Sequence, residues 1–90
     1  MIIKKHLVIS GKVQGVGFRY WIQNLAINNN IDGWVKNKSS SDVEALIIGQ
    51  EKEVQKLIKQ CKIGPNSATI QNIQINDYDQ DYSKEGFNIF

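Results

Sequence analysis

The stretch Gly11-Lys12-Val13-Gln14-Gly15-Val16-Gly17-Phe18-Arg19 gathers the residue types best able to do chemistry in this 90-residue chain. It holds three glycines, no acidic side chain, and an arginine where an amphipathic helix pattern begins. Glycine tolerates positive φ and lets backbone approach a ligand closely. A glycine loop that opens a helix aims several N–H groups at one point, and that point favours an anion. Arg19 adds a planar fork of donors suited to phosphate or carboxylate. The local expectation is a small anion cradle, suited to phosphate. On composition alone, a strand-to-helix turn without a ligand accounts for the same residues. The surrounding elements and the wording of the whole stretch must decide.

Few other residues compete for a chemical role. His6 is the only histidine, and the sequence names no partner that would make it a base. Its phase in the first strand pattern is outward, so a solvent-facing residue is expected. Cys61 is the only cysteine, so no internal disulfide can form. It lies on an apolar helical stripe, which reads as a buried, inert thiol. Asp77, Asp79 and Asp81 alternate like the start of a calcium loop. The sixth position of that pattern needs Gly and is Tyr82, and the twelfth needs Glu and is Asn88. A solvated acidic loop is expected there.

The elements that would position the loop follow from periodicity. Ile2 to Ser10 alternates as a strand, with Leu7 and Ile9 on the inner face. Phe18, Trp21, Ile22, Leu25 and Ala26 form one helical stripe over about Phe18 to Asn29, which makes Trp21 a core residue rather than a ligand stacker. Asn28-Asn29-Asn30 ends that helix, since Asn tolerates the left-handed conformation. Strand two spans Trp34 to Asn37 and is followed by a polar turn, Lys38 to Ser41. Strand three spans about Asp42 to Ile48, with Val43, Ala45 and Ile47 on one face, and is expected to stop at Gly49. Val54, Leu57, Ile58 and Cys61 mark a second helix over about Gln50 to Cys61, broken by Gly64-Pro65. Strand four spans about Ala68 to Asn76, and its alternation slips between Ile70 and Ile73, which predicts a bulge. A short last strand covers Phe87 to Phe90. The order β-α-β-β-α-β with a short C-terminal strand is that of an α+β ferredoxin-like sandwich, an antiparallel sheet with two helices on one face. The outer face would carry Val8, Leu46 and Ile48, an apolar patch with a tendency to aggregate.

Length and composition set bounds. Ninety residues make one domain, 1–90. The formal net charge of +2 does not argue for nucleic acid. The last strand has aromatics but lacks the basic–aromatic pattern of an RNA-reading strand. No stretch approaches the roughly 18 apolar residues of a membrane span. The opening Met1-Ile2-Ile3-Lys4-Lys5-His6 reaches charge at once and lacks the apolar run of a secretory leader. A cytoplasmic protein is expected, with no membrane or nucleic-acid partner, and a monomer.

Read as wording, Gly11 to Arg19, then Gly33-Trp34-Val35-Lys36-Asn37, then Gly64-Pro65 before Ala68, and Phe87-Asn88-Ile89 near the end resemble the acylphosphatase family. The resemblance runs in order along nearly all of the chain, and the first two motifs are its specific part. It implies hydrolysis of the carboxyl–phosphate bond of acyl phosphates, giving a carboxylate and inorganic phosphate, without metal or cofactor. It implies that Arg19 holds the phosphate with the backbone of a phosphate-binding loop, Gly15, Val16, Gly17, Phe18 and Arg19. It implies that Asn37 positions the attacking water. Away from its context, Asn37 reads as a turn residue at a strand end. An acyl phosphate has a good leaving group, so charge stabilisation and an oriented water suffice, and an amide can both donate to and accept from that water. Where the family carries Asp-Gly after the asparagine, this chain has Ser40-Ser41, which is expected to alter or loosen the turn and lower the rate. Asn30 stands where the family has Gly. The alternative is a non-catalytic phosphate- or anion-binding module on the same fold.

Overall fold

The computed structural model describes residues 1–39 and 41–90. Five strands and two helices follow in the order β1 (Ile2–Lys12), α1 (Phe18–Asn28), β2 (Asp32–Lys38), β3 (Asp42–Gln50), α2 (Glu51–Ile63), β4 (Thr69–Asp77) and β5 (Phe87–Ile89). They form one sheet in the order β4-β1-β3-β2-β5. β1, β2, β3 and β4 pair antiparallel, as the pattern requires. β5 departs from an all-antiparallel sheet by lying parallel to β2, with Gly33 opposite Phe87 and Val35 opposite Ile89.

Burial follows the two periodicities. Leu7 and Ile9 of β1, Val35 of β2, and Val43, Ala45 and Ile47 of β3 turn one face of the sheet inward. Phe18, Ile22 and Ala26 of α1 and Val54, Leu57, Ile58 and Cys61 of α2 cover that face. Trp21 and Leu25 pack against the same cluster from its margin. Phe87, only 4% exposed, completes the core from β5. Glu51 and Glu53 in the first turn of α2 and Lys62 in its last complement the helix dipole. Gly64, at φ 74°, ends α2 and donates its N–H to Gln60 O at 2.9 Å. Asn30 takes the left-handed φ of 56° expected of a helix-ending Asn.

The bulge in β4 is where the alternation slips. Ser10 faces Asn72 while Gly11 faces Ile70, so Gln71 is the extra residue. Gly49 does not stop β3. It lies buried within the strand opposite Ile3, and β3 runs on to Gln50. Ladder pairing on the β1 side holds the backbone extended there.

The outer face corrects a second expectation. β4 and β5 lie at opposite edges of the sheet, so the chain from Tyr78 to Gly86 must cross three strands. Helices occupy one face, and the segment crosses the other. The Tyr78 ring stacks on His6 with centroids 6.5 Å apart, Lys4 Nζ donates to Gln80 O at 2.8 Å, and the Gly86 N–H donates to Asp32 Oδ1 at 3.0 Å. Beneath lies Leu46, flanked in the ladder by His6 and Trp34, whose rings approach to 6.2 Å. Leu46 is wholly buried, not part of an exposed apolar patch. His6 is half-buried rather than open to solvent, with Nε2 2.6 Å from Glu44 Oε2. Asp77 pairs with Lys5. No cluster of metal-ligating side chains forms among the described residues. No helix among them is long and apolar enough to cross a membrane.

Candidate active site

The segment between β1 and α1 is built to present backbone. Gly15 and Gly17 take φ of 74° and 78°, values that side chains rarely adopt. A Cβ at either position would meet no atom within 4 Å. Conformation, not crowding, therefore demands glycine there, and the space above the loop is open. Gly17 is the N-cap of α1 and, among the described residues, no side chain caps the helix and no acid lies in its first turn. The first helical bond runs from the Trp21 N–H to Gly17 O at 3.0 Å. The N–H groups of Phe18, Arg19 and Tyr20 lie ahead of it, without helical acceptors. They meet the positive end of the α1 dipole at one point.

Phe18 is the anchor of this arrangement. It is buried and packs against Trp21 with tilted rings 5.4 Å apart, which pins the start of the helix to the core. Arg19, the next residue, is half-buried in the first turn, and its guanidinium takes part in none of the ion pairs among the described residues.

Asn37 lies in β2 opposite Val43, which in turn faces Ile9 of β1. It shares phase with Gly33 and Val35, so it belongs to the helix-covered face, one residue from the strand's end. Asn37 is exposed while Val35 is buried, so the strand emerges from the core between them. β1 and β2 run in the same direction, and the glycine loop leaves β1 at this same end. Lys12 and Lys38 also stand here, with Asp42 opposite Lys38 as the ladder's acid. His6 lies on the other face of the sheet and is not part of this group.

The side chains of Gln14 and Ser67 join the loop to its surroundings. Gln14 Nε2 donates to Asp42 O at 2.8 Å and to Ser39 O at 3.2 Å. Ser67 Oγ, from the segment leading into β4, donates to Val16 O at 2.8 Å. Gln14 lies within the glycine-loop motif without a role that the sequence discloses, and nothing in the sequence singles out Ser67. Only the fold reveals that their partners lie across the site. Of the Ser40-Ser41 pair, Ser40 lies outside the described residues. Ser39, just before it, takes a left-handed φ of 57°, an uncommon conformation for a residue with a Cβ. Clefts lined by Asn28, Asn30 and Glu53, and by Lys62, Gln71 and Asn72, lie elsewhere on the molecule.

Cys61 is buried, and desolvation pushes its thiol up to about 12. It stays a neutral thiol and has no part in this chemistry.

Residues 5–89 match the family model described as Acylphosphatase. An acylphosphatase of Rhodopseudomonas palustris (strain BisB5) is 34% identical over 90 residues, covering 94% of this chain and 91% of the relative. A crystal structure of acylphosphatase from Bacillus subtilis superposes with a TM-score of 0.92 at 31% identity, over 100% of this chain and 99% of that one. The structure of an acylphosphatase from Coxiella burnetii gives 0.90 at 33% identity, over 99% and 93%.

Proposed function

The chain belongs to the acylphosphatase family and is an enzyme that hydrolyses acyl phosphates, and from that premise we propose how its own residues do so. The phosphoryl group sits over the glycine loop. Backbone N–H groups of Gly15, Val16, Gly17, Phe18 and Arg19 and the Arg19 guanidinium bind its oxygens. Charge that builds on those oxygens in a loose transition state is met by donors already in place. Asn37 holds a water for in-line attack, one amide group donating and accepting at once. The water oxygen forms the new bond to phosphorus, and the bond from phosphorus to the acyl oxygen breaks. The carboxylate leaves with the electron pair, and the proton of the water passes to a phosphate oxygen. No side chain need act as a strong base, which fits a site where the only histidine faces away and the only cysteine is buried.

The observation that carries this reading is the union of three features at one end of the sheet. They are an uncapped helix start without acids, an arginine in its first turn, and an asparagine at the adjacent strand end. The reading extends to metal-independent turnover by a single unit spanning 1–90, a cytoplasmic monomer acting on small acyl phosphates without nucleic acid. A lone thiol and a net charge of +2 support that setting. No observation favours the non-catalytic module.

Hydrolysis of benzoyl phosphate, with chelator present, tests the site. Arg19→Ala is expected to lower kcat/KM by about a hundredfold or more. Asn37→Ala is expected to lower kcat far more than it changes KM. If both variants turn over like the parent, the assignment of these residues is wrong. Loss of turnover with chelator would remove the metal-independent mechanism.

A further inference from the structure

We propose that Gln14 is a positioning residue that sets the phosphate loop and Asn37 in register with each other. The proposal rests on the site reading above. In-line attack needs the water and the phosphorus aligned, and these are held by different elements. The loop holds the phosphoryl group, and β2 holds Asn37. Ladder hydrogen bonds fix β1 against β3 and β3 against β2 up to Ile9, Val43 and Asn37. Beyond Lys12 the chain leaves the sheet, and no ladder continues to align it.

Gln14 spans that gap. Its amide nitrogen has two protons. One goes to Ser39 O, just past the end of β2, and the other to Asp42 O, at the start of β3. One side chain thus grips both limbs of the turn that follows Asn37. It does so from the loop residue beside Gly15. Glutamine suits this task on two grounds. Both acceptors are carbonyl oxygens, which a carboxylate would repel. Asparagine would fall one methylene short of them. Ser67 grips the loop independently at Val16 O, so losing Gln14 leaves the loop tethered while freeing its alignment with Asn37. A misplacement of about 1 Å between reacting groups costs up to about a hundredfold in rate.

The test is a double-mutant cycle with benzoyl phosphate, using Gln14→Ala, Asn37→Ala and the pair, with inorganic phosphate inhibition measured alongside. Gln14→Ala is expected to lower kcat about tenfold to a hundredfold in the parent. The inhibition constant for phosphate should move less than about threefold, because the loop amides and Arg19 remain. In the Asn37→Ala background the same substitution should change kcat less than about twofold, because there is no positioned water left to misalign. Undiminished kcat in Gln14→Ala, or the same fold loss in both backgrounds, would overturn the coupling while Asn37→Ala alone stays slow. A parental rate in Asn37→Ala would overturn the site reading and the coupling with it. Circular dichroism checks that each variant folds. If Gln14→Ala does not, Gln14→Met, closer in volume and without donors, takes its place and is read in the same way.

Discussion

Arg19 stands half-buried in the first turn of α1, where a lysine would bring the same charge without the fork. A guanidinium presents two parallel donors to two phosphoryl oxygens, and its planarity fixes their direction. Its neighbours are backbone amides, so in the proposed site binding would rest on one side chain and a run of N–H groups whose geometry comes from Gly15 and Gly17. Cys61 shows burial acting the other way, silencing a group that is reactive when exposed. Its thiol is pushed up to about 12 by desolvation, while in the unfolded chain it ionises near about 8.5. Above about pH 8.5 the unfolded state therefore holds fewer protons than the folded one, and stability falls as pH rises. The contribution is full below about 8.5 and is lost progressively up to about 12. Urea unfolding of the parent and Cys61→Ala at pH 8 and pH 10 should isolate it. The variant starts lower because it leaves a cavity, but its further loss between the two pH values should be smaller by about 2 kcal/mol. Equal losses in both proteins would mean that the thiol is accessible to solvent.

At the scale of elements, β2 must lie close to β3 for Asn37 to reach the mouth of the loop, and Gly33 permits it. A Cβ at Gly33 would lie 1.8 Å from Leu46 O, on a backbone at φ +136°. Gly33→Ala is expected to cost at least about 3 kcal/mol, from a forbidden contact and an unfavourable conformation together. For a chain of this size that lowers Tm by more than about 12 °C. Gly86 is the control, because at φ +85° it has open space around it, so Gly86→Ala should cost only about 1–2 kcal/mol. Similar Tm losses in both variants would show that the crowding at Gly33 relaxes away. The sequence makes much of this level legible. Both helical stripes and the inward set Leu7, Ile9, Val43, Ala45 and Ile47 are periodic, and the slip after Ile70 announces the bulge at Gln71. The glycines and Arg19 of the loop, and Asn37 through its motif, are legible as well. What stays hidden has no period. Gln14 and Ser67 act through backbone carbonyls in distant segments, and any residue can supply a carbonyl. Gly49 reads as a stop because glycine favours turns, yet pairing with Ile3 holds it in β3. The parallel register of β5 depends on where Gly86 lands beside β2, which local pattern does not encode.

For the whole molecule, the central strands of the sheet are covered on both faces while the edge strand β4 stays largely exposed, and the two covers do different work. The helices on one face form the main core and leave the loop and Asn37 at its rim. On the face opposite the helices the segment from Tyr78 to Gly86 lies over His6, Trp34 and Leu46, away from the strand ends where the glycine loop leaves β1. Strand order forces this, because the chain must travel from β4 at one edge to β5 at the other. Leu46 tests how much the second cover contributes. Were it exposed, as its phase suggests, Leu46→Ala would change stability by no more than about 0.5 kcal/mol. Buried beneath His6, Trp34 and the crossing segment, it should cost about 2–4 kcal/mol, the range of a true core leucine. Leu57→Ala in α2, fully buried on the helix side, supplies the reference for that range. A domain of this size has a total stability of about 5–13 kcal/mol, so either substitution removes a large share of it. Denaturant titration of the two variants should give losses within about 1–2 kcal/mol of each other. A near-neutral Leu46→Ala beside a costly Leu57→Ala would show that the crossing segment opens freely and that the sheet is stabilised from one side alone. Because this cover lies far from the loop, Leu46→Ala should keep its kcat for benzoyl phosphate wherever it remains folded, which separates what holds the sheet together from what carries out the hydrolysis.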